Sequence, residues 1–163
     1  MGTANATDAY KFSHPFAYPT YVTGIYAYQE ARTKGKDIMV PFGLQMLLWK
    51  TLANPITRDD IEEAAEFCAA NGTMFYREGW EAILNECGGY LPVKVRAVKE
   101  GTPVPSGNVL LTVEAVGKFA WLAAYIETWL LRGIWYPTTI ATNDRALKVE
   151  LKQLFEQSGA SMD

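Results

Sequence analysis

Hydrophobic positions are densest between Trp121 and Ala146. Phe119, Leu122, Ile126, Trp129 and Leu130 recur at helical spacing. Apolar residues also spill onto the flanks of that stripe, so little of this helix is expected to face water. Gly133 reads as its stop and Pro137 as a bar to continuation. A second helix is expected from Thr142 onward, with Leu147, Leu151, Leu154 and Phe155 on one face and Gly159 as its cap.

Upstream the pattern alternates between the two periods. Met1 to Ala6 is small and polar and is expected to be disordered. Tyr21 to Arg32 reads as a strand from its β-branched and aromatic content, and Ile38 to Pro41 as a short one. Leu44 to Leu52 places Leu44, Leu47, Leu48 and Leu52 on one helical face. Thr57 followed by Asp60 has the form of a capping box, opening a helix through Ala70 that Asn71 and Gly72 close. The acids Asp59, Asp60, Glu62 and Glu63 lie in its first turns, where the helix dipole favours them, and read as structural. Trp80, Ile83 and Leu84 mark a short helix ending at Gly88-Gly89. Leu91 to Glu100 and Val109 to Val116 form a strand pair around the turn-rich PVPSGN. The order shows no clean βαβ alternation, so the expected fold is α+β, a mixed or antiparallel sheet packed with helices.

Composition narrows the function classes. A chain of 163 residues fits one domain, residues 1–163, with a sizeable core. A net charge of −3 supplies no global field for nucleic acid. The apolar run around Trp129 is too short and interrupted for a bilayer span, so no membrane partner is expected. With no signal peptide in view, Cys68 and Cys87 read as free thiols in a reducing cytoplasm. One histidine, His14, argues against a metal site. The high aromatic content suits a large core, an interface or a stacking site.

Three groups of residues carry candidate chemistry. Asp8, Tyr10, Lys11 and His14 gather an acid, a ring, a cation and an imidazole near the N-terminus; a solvated turn is the plainer reading. Arg32, Lys34 and Lys36 around Gly35 could hold a phosphate or form a solvated hairpin tip. Glu127 is the lone carboxylate in the apolar helix, read as structural beside Thr128 or reaching Arg132. Gly88-Gly89 lacks any nucleotide-loop pattern, and no acidic cluster suits magnesium. No nucleophile sits with a base. On residues alone this is a support or binding domain, not a self-sufficient catalyst.

A resemblance runs through the chain in order: TDAYK, YAYQEAR, PFGLQMLL, EGW, LPVKVRAV, EGTPVPSGNVLLTVE, YIETWLLRGIWYP, IATNDR and SGASMD. With these segments the chain resembles the N-terminal part of nicotinamide phosphoribosyltransferases, which are type II phosphoribosyltransferases. The IET…WYP…ATN series is also similar to the nicotinate enzymes. The TD-Y-K opening with GNVL-TVE favours the nicotinamide family. The resemblance implies transfer of a phosphoribosyl group from phosphoribosyl pyrophosphate to nicotinamide. It also implies assistance from ATP, magnesium bound with the substrates, and a homodimer with active sites at the subunit interface. The family's catalytic barrel has no counterpart here, so the chain alone is expected to be inactive and to bind no cofactor by itself. It is expected to self-associate or to pair with a barrel-bearing chain. By the same resemblance Tyr10 matches a tyrosine that stacks on nicotinamide in the neighbouring subunit's pocket, and Asp8 the acid beside it. Arg32 matches an arginine near the phosphates of phosphoribosyl pyrophosphate. His14 and Glu127 stay structural. A non-catalytic binding module of the same fold is the other reading.

Overall fold

The computed structural model describes residues 3–32 and 37–159. Three short 3-10 turns open the chain, at Thr3–Asn5, Ala9–Phe12 and His14–Ala17. Strand β1 (Gly24–Glu30) and strand β2 (Ile38–Met39) follow, then helices α1 (Leu44–Thr51), α2 (Arg58–Ala70) and α3 (Arg77–Glu86). Strands β3 (Lys94–Ala97), β4 (Val104–Pro105) and β5 (Val109–Val116) lead to α4 (Leu122–Tyr125) and α5 (Glu127–Ser158). The expected α+β class is what forms, and both sheets are antiparallel. One has the order β1-β5-β3, with Ala27 opposite Val113 and Val95 opposite Val113 from the other side. The other pairs β2 with β4.

Local signals were accurate where the chemistry is local. Thr57 and Asp60 do form a reciprocal capping box: the Asp60 N–H donates to Thr57 Oγ1 at 3.2 Å, and the Thr57 N–H to Asp60 Oδ2 at 2.8 Å. The start of α1 has no side chain of its own to cap it, because Gly43 stands there. Glu100 substitutes from across the fold, accepting the Gln45 N–H at 2.8 Å.

The core is an aromatic nest closed by α4. Trp80, Trp121 and Tyr125 meet edge to face, with ring centroids 5.2 to 5.3 Å apart. Phe12 adds a further edge contact to Tyr125 at 5.8 Å. Ile61 and Ala64 of α2, Ile83 of α3 and Leu111 and Val113 of β5 are buried in the same cluster. Burial pushes the Tyr125 hydroxyl well above the usual tyrosine range. That hydroxyl donates to the Ala4 carbonyl at 2.7 Å. The expected disorder of the N-terminal residues is therefore corrected for those described: Ala4 and Asn5 are buried, and the Thr3–Asn5 turn packs on α2. Met1 and Gly2 lie outside the described residues.

The second correction concerns the long apolar stretch. Instead of two helices divided at Gly133 and Pro137, α4 breaks from α5 at Ile126, and α5 then runs unbroken through Pro137 to a left-handed cap at Gly159. Tertiary contacts outweigh the local stop signals. Gly133 faces Leu47 of α1, and a Cβ there would lie 2.2 Å from Leu47 Cδ2. Gly43, at φ 97°, presses on the same turn, and a Cβ on it would fall 2.6 Å from Pro137 Cγ and 2.7 Å from the Gly133 carbonyl. Pro137 costs α5 one backbone donor. Two threonines of the next turns help hold α5 to the β2–α1 segment: the Val40 N–H donates to Thr142 Oγ1 at 3.0 Å and the Phe42 N–H to Thr138 Oγ1 at 3.2 Å. Beyond Thr142 the expected packed face is open: Leu147, Leu151 and Leu154 are exposed.

Gly133→Ala is expected to destabilise the chain by about 1–3 kcal/mol through overpacking on Leu47, although alanine is the better helix former by about 1 kcal/mol. Adding Leu47→Ala should remove the clash and make the pair non-additive in a urea-unfolding double-mutant cycle. Additive losses would show that Gly133 is not the point of close approach.

Candidate functional site

The candidate residues of the N-terminus are held by the junction between α4 and α5. The break at Ile126 leaves carbonyls at the end of α4 available to outside donors. Thr7 Oγ1 donates to the Tyr125 carbonyl at 2.7 Å, and Lys11 Nζ to the Ala124 carbonyl at 2.9 Å. Lys11 Nζ also pairs with Glu127 Oε2 at 2.6 Å; its side chain is 2 % exposed while that of Glu127 is 54 % exposed. Asp8 sits at the cap position of the 3-10 turn but makes no side-chain cap bond. Its Oδ2 accepts from Thr128 Oγ1 at 2.7 Å instead. Three side chains within five residues thus bind one junction more than a hundred positions away.

This arrangement answers the question about Glu127. The partner is Lys11, whereas the sequence pointed to Thr128 or Arg132. Tyr10, between the anchored Asp8 and Lys11, points outward and is 58 % exposed. Its ring lies 5.0 Å from that of His14 at 59°, and the Lys11 ammonium is 5.7 Å from its centre. The Asp8–Tyr10–Lys11–His14 group is therefore a real cluster, ordered by Lys11. Nearby, burial raises the Tyr18 hydroxyl above the usual tyrosine value, and the Glu127 carboxylate adds to the effect.

A cavity of about 690 Å3 lies beside this junction. Residues 27–32 of β1 and its exit form one wall with Leu110 and Val113 of β5 and Met39 of β2, and Glu127, Leu131, Ile134, Trp135, Thr138 and Thr139 of α5 form the other. Arg32 stands at its rim with a side chain 89 % exposed, and its guanidinium is 3.9 Å from Glu30. That is a long, solvated contact which leaves the guanidinium available to an anion. Lys34 and Lys36, the other cations expected there, lie outside the described residues. Tyr10 does not line this cavity; Glu127, which pairs with Lys11 and lines the cavity, links the two places.

Among the described residues no three His, Cys, Asp or Glu side chains converge as a metal site. The described residues therefore offer magnesium no matching ligand set. No helix among the described residues is long and apolar enough to cross a membrane. Cys68 and Cys87 are unpaired, and burial raises the Cys68 thiol. The main feature that sequence reasoning missed is the burial of Lys11 and its pairing with Glu127. A lysine in a polar N-terminal stretch carries no sign of burial, and the only hint was the lone carboxylate in an apolar helix.

The chain thus packs helices on antiparallel sheets, with Arg32 at the rim of the cavity and Tyr10 and Asp8 on the N-terminal turn beside it. Over 84 % of its length the chain superposes on the crystal structure of human nicotinic acid phosphoribosyltransferase, with a TM-score of 0.58 and 23 % identity, covering 27 % of that chain. This likeness speaks for the fold. Residues 3–95 match the family described as nicotinamide phosphoribosyltransferase, N-terminal domain, and the chain belongs to that family. A nicotinamide phosphoribosyltransferase of Xanthomonas campestris pv. campestris (strain 8004) is 39 % identical over 93 % of this chain and 32 % of its own length. One from Acinetobacter baylyi (strain ATCC 33305 / BD413 / ADP1) is 29 % identical over 98 % of this chain and 35 % of its own. The chain spans about a third of the length of these relatives.

Removing the counter-charge of Lys11 should be costly. Glu127→Ala strands a buried ammonium and is expected to lower unfolding free energy by about 1.5–3 kcal/mol, the range for hydrogen bonds to charged groups. Arg132→Ala, on an exposed position of the same helix, should stay within about 0.5 kcal/mol. Equal, small losses for both in urea titrations would show that the Lys11–Glu127 pair does not hold the turn.

Proposed function

We propose that this chain is the N-terminal part of a nicotinamide phosphoribosyltransferase, serving NAD salvage. In that reaction the pyridine nitrogen of nicotinamide bonds to C1 of the ribose while the bond from C1 to pyrophosphate breaks. The products are nicotinamide mononucleotide and pyrophosphate. The observation that carries this reading is the 39 % identity to the Xanthomonas enzyme across 93 % of the chain.

In this reading the chain supplies substrate-positioning groups and no reacting group. Tyr10 stacks on the nicotinamide ring in the pocket of a second subunit, with Asp8 beside it. Its outward position on a firmly anchored turn supports that role, since a ring already fixed loses little freedom on stacking. Arg32 receives the phosphates of phosphoribosyl pyrophosphate, and its solvated guanidinium at the cavity rim supports this. Magnesium and ATP act with the remainder of the enzyme. The working form is a dimer that completes each active site across its interface, and the chain alone is inactive. The human nicotinic acid enzyme shares the fold, so nicotinate is the competing substrate to assay.

The test is product formation by the chain alone and by the chain combined with the two thirds of the Xanthomonas relative outside the matched region. The chain alone should make no nicotinamide mononucleotide; product above background would overturn the assignment of chemistry to the remainder. In the active combination Tyr10→Ala should raise the KM for nicotinamide roughly 2- to 12-fold, the equivalent of about 0.5–1.5 kcal/mol of aromatic stacking. Arg32→Ala should instead raise the KM for phosphoribosyl pyrophosphate, by about tenfold or more. Equal effects of both variants on both substrates would mean that the two side chains are structural. Turnover of nicotinate with none of nicotinamide would make the chain part of the acid-specific enzyme. A combination that assembles but turns over neither substrate would favour a binding module.

A further inference from the structure

We propose that Thr128 is a positioning residue for the nicotinamide contact. Its hydroxyl acts through Asp8 to set the turn that presents Tyr10. The inference deepens the reading in which Tyr10 stacks on nicotinamide, and it rests on that reading.

Two side chains here forgo their usual local partners. A threonine inside a helix commonly donates its hydroxyl proton to the carbonyl four residues earlier. Thr51 does so to Leu47 at 2.7 Å, and Thr139 to Trp135 at 3.0 Å. Thr128 does not. The carbonyl four residues before it belongs to Ala124, across the break at Ile126, and Lys11 Nζ takes it at 2.9 Å. The single hydroxyl proton of Thr128 goes to Asp8 Oδ2 at 2.7 Å. Asp8 departs from the usual pattern as well. An aspartate at a cap position ordinarily accepts a backbone N–H of the turn it opens. Asp8 occupies the cap of the Ala9–Phe12 turn and makes no such bond. Each residue thus gives up a partner a few positions away for one 120 positions away.

The pairing fixes Tyr10 because of how the turn is closed. The Lys11 N–H donates to the Asp8 carbonyl at 2.9 Å, so Ala9 and Tyr10 are enclosed between two anchored residues. At one end Thr128 holds the Asp8 carboxylate. At the other, Glu127 and the Ala124 carbonyl hold the Lys11 ammonium. Thr128 is buried while Tyr10 is exposed, so its influence on a ligand at that ring passes through Asp8. A carboxylate already held by one oxygen, and a turn already held by that carboxylate, lose less freedom when a ring docks on Tyr10.

Valine at position 128 separates this role from packing. It has nearly the shape of threonine and no proton to donate. Asp8 is only half-buried, so water can replace the lost donor and the fold survives.

The experiment is a double-mutant cycle of Asp8→Ala and Thr128→Val with two readouts. The first is urea unfolding of the chain alone. The two changes should be non-additive there, with a coupling of about threefold or more in the unfolding equilibrium constant. The second is steady-state kinetics of the chain combined with the two thirds of the Xanthomonas relative outside the matched region. Thr128→Val should raise the KM for nicotinamide about threefold or more and leave that for phosphoribosyl pyrophosphate within about twofold. In the Asp8→Ala background the same change should raise the nicotinamide KM by less than about twofold. Thr128→Ser, which keeps the hydroxyl, should behave as the unaltered chain does. Additive unfolding would overturn the proposal by showing that the bond is not made. Coupled unfolding with an unchanged nicotinamide KM would also overturn it, since the bond would then be structural alone. Equal rises for both substrates would do the same. In each of these cases Tyr10→Ala separates the proposal from the reading beneath it. If that variant raises the nicotinamide KM, the reading stands and only the role of Thr128 falls; if it does not, both fall.

Discussion

A buried ammonium sets the terms for the N-terminal third of this structure. Lys11 cannot lose its water without both a counter-charge and hydrogen-bond acceptors, and the fold provides Glu127 and the Ala124 carbonyl. The Ala124 carbonyl is open to Lys11 because the helix breaks at Ile126. An unbroken α4–α5 helix would have spent the Ala124 and Tyr125 carbonyls on its own ladder. The break and the lysine therefore satisfy each other's unpaired groups. Thr7 and Asp8 add their bonds to the same few residues, so the 3-10 turn has one place to sit. Tyr10 is exposed as a consequence. Its neighbours at 8 and 11 point inward, and the turn carries its ring outward.

How far the sequence could foresee this depends on the range of the interaction. The capping box at Thr57 and Asp60, the α1 face, the β3–β5 pair and the Gly159 cap are all local, and their residue types announced them. The residues that fix the site are not local. Lys11 and Glu127 are separated by 116 positions, and neither type indicates its partner. The same limit explains the misread helix. Gly133 and Pro137 are stop signals by propensity, yet here they are contact residues that let Gly43 and Leu47 approach α5. A glycine that terminates a helix and a glycine that admits a neighbour are the same letter. Only the neighbour, some ninety residues earlier, tells them apart.

The candidate residues themselves came from family motifs and not from pattern. Composition made Arg32 a hairpin-tip cation and Tyr10 a surface ring, and the structure alone would agree with both descriptions. The structure adds a connection between them. Glu127 pairs with Lys11 under the Tyr10 turn and lines the cavity whose rim carries Arg32. The turn that carries Tyr10 and the cavity whose rim carries Arg32 therefore meet at one helix start.

The same helix also explains why the groove beside β1 stays open. Along α5 the contacts that fix it to the body of the fold include Leu47 against Gly133 and the threonine bonds from positions 138 and 142 to the β2–α1 segment. These contacts secure α5 from the α1 and β2 side, while residues 27–32 stand on the other side of the cavity. A helix packed directly on β1 would have buried Leu131 and Trp135, which are exposed. Instead the two walls are held apart by anchors on the far side, and the gap is a fixed feature of the fold.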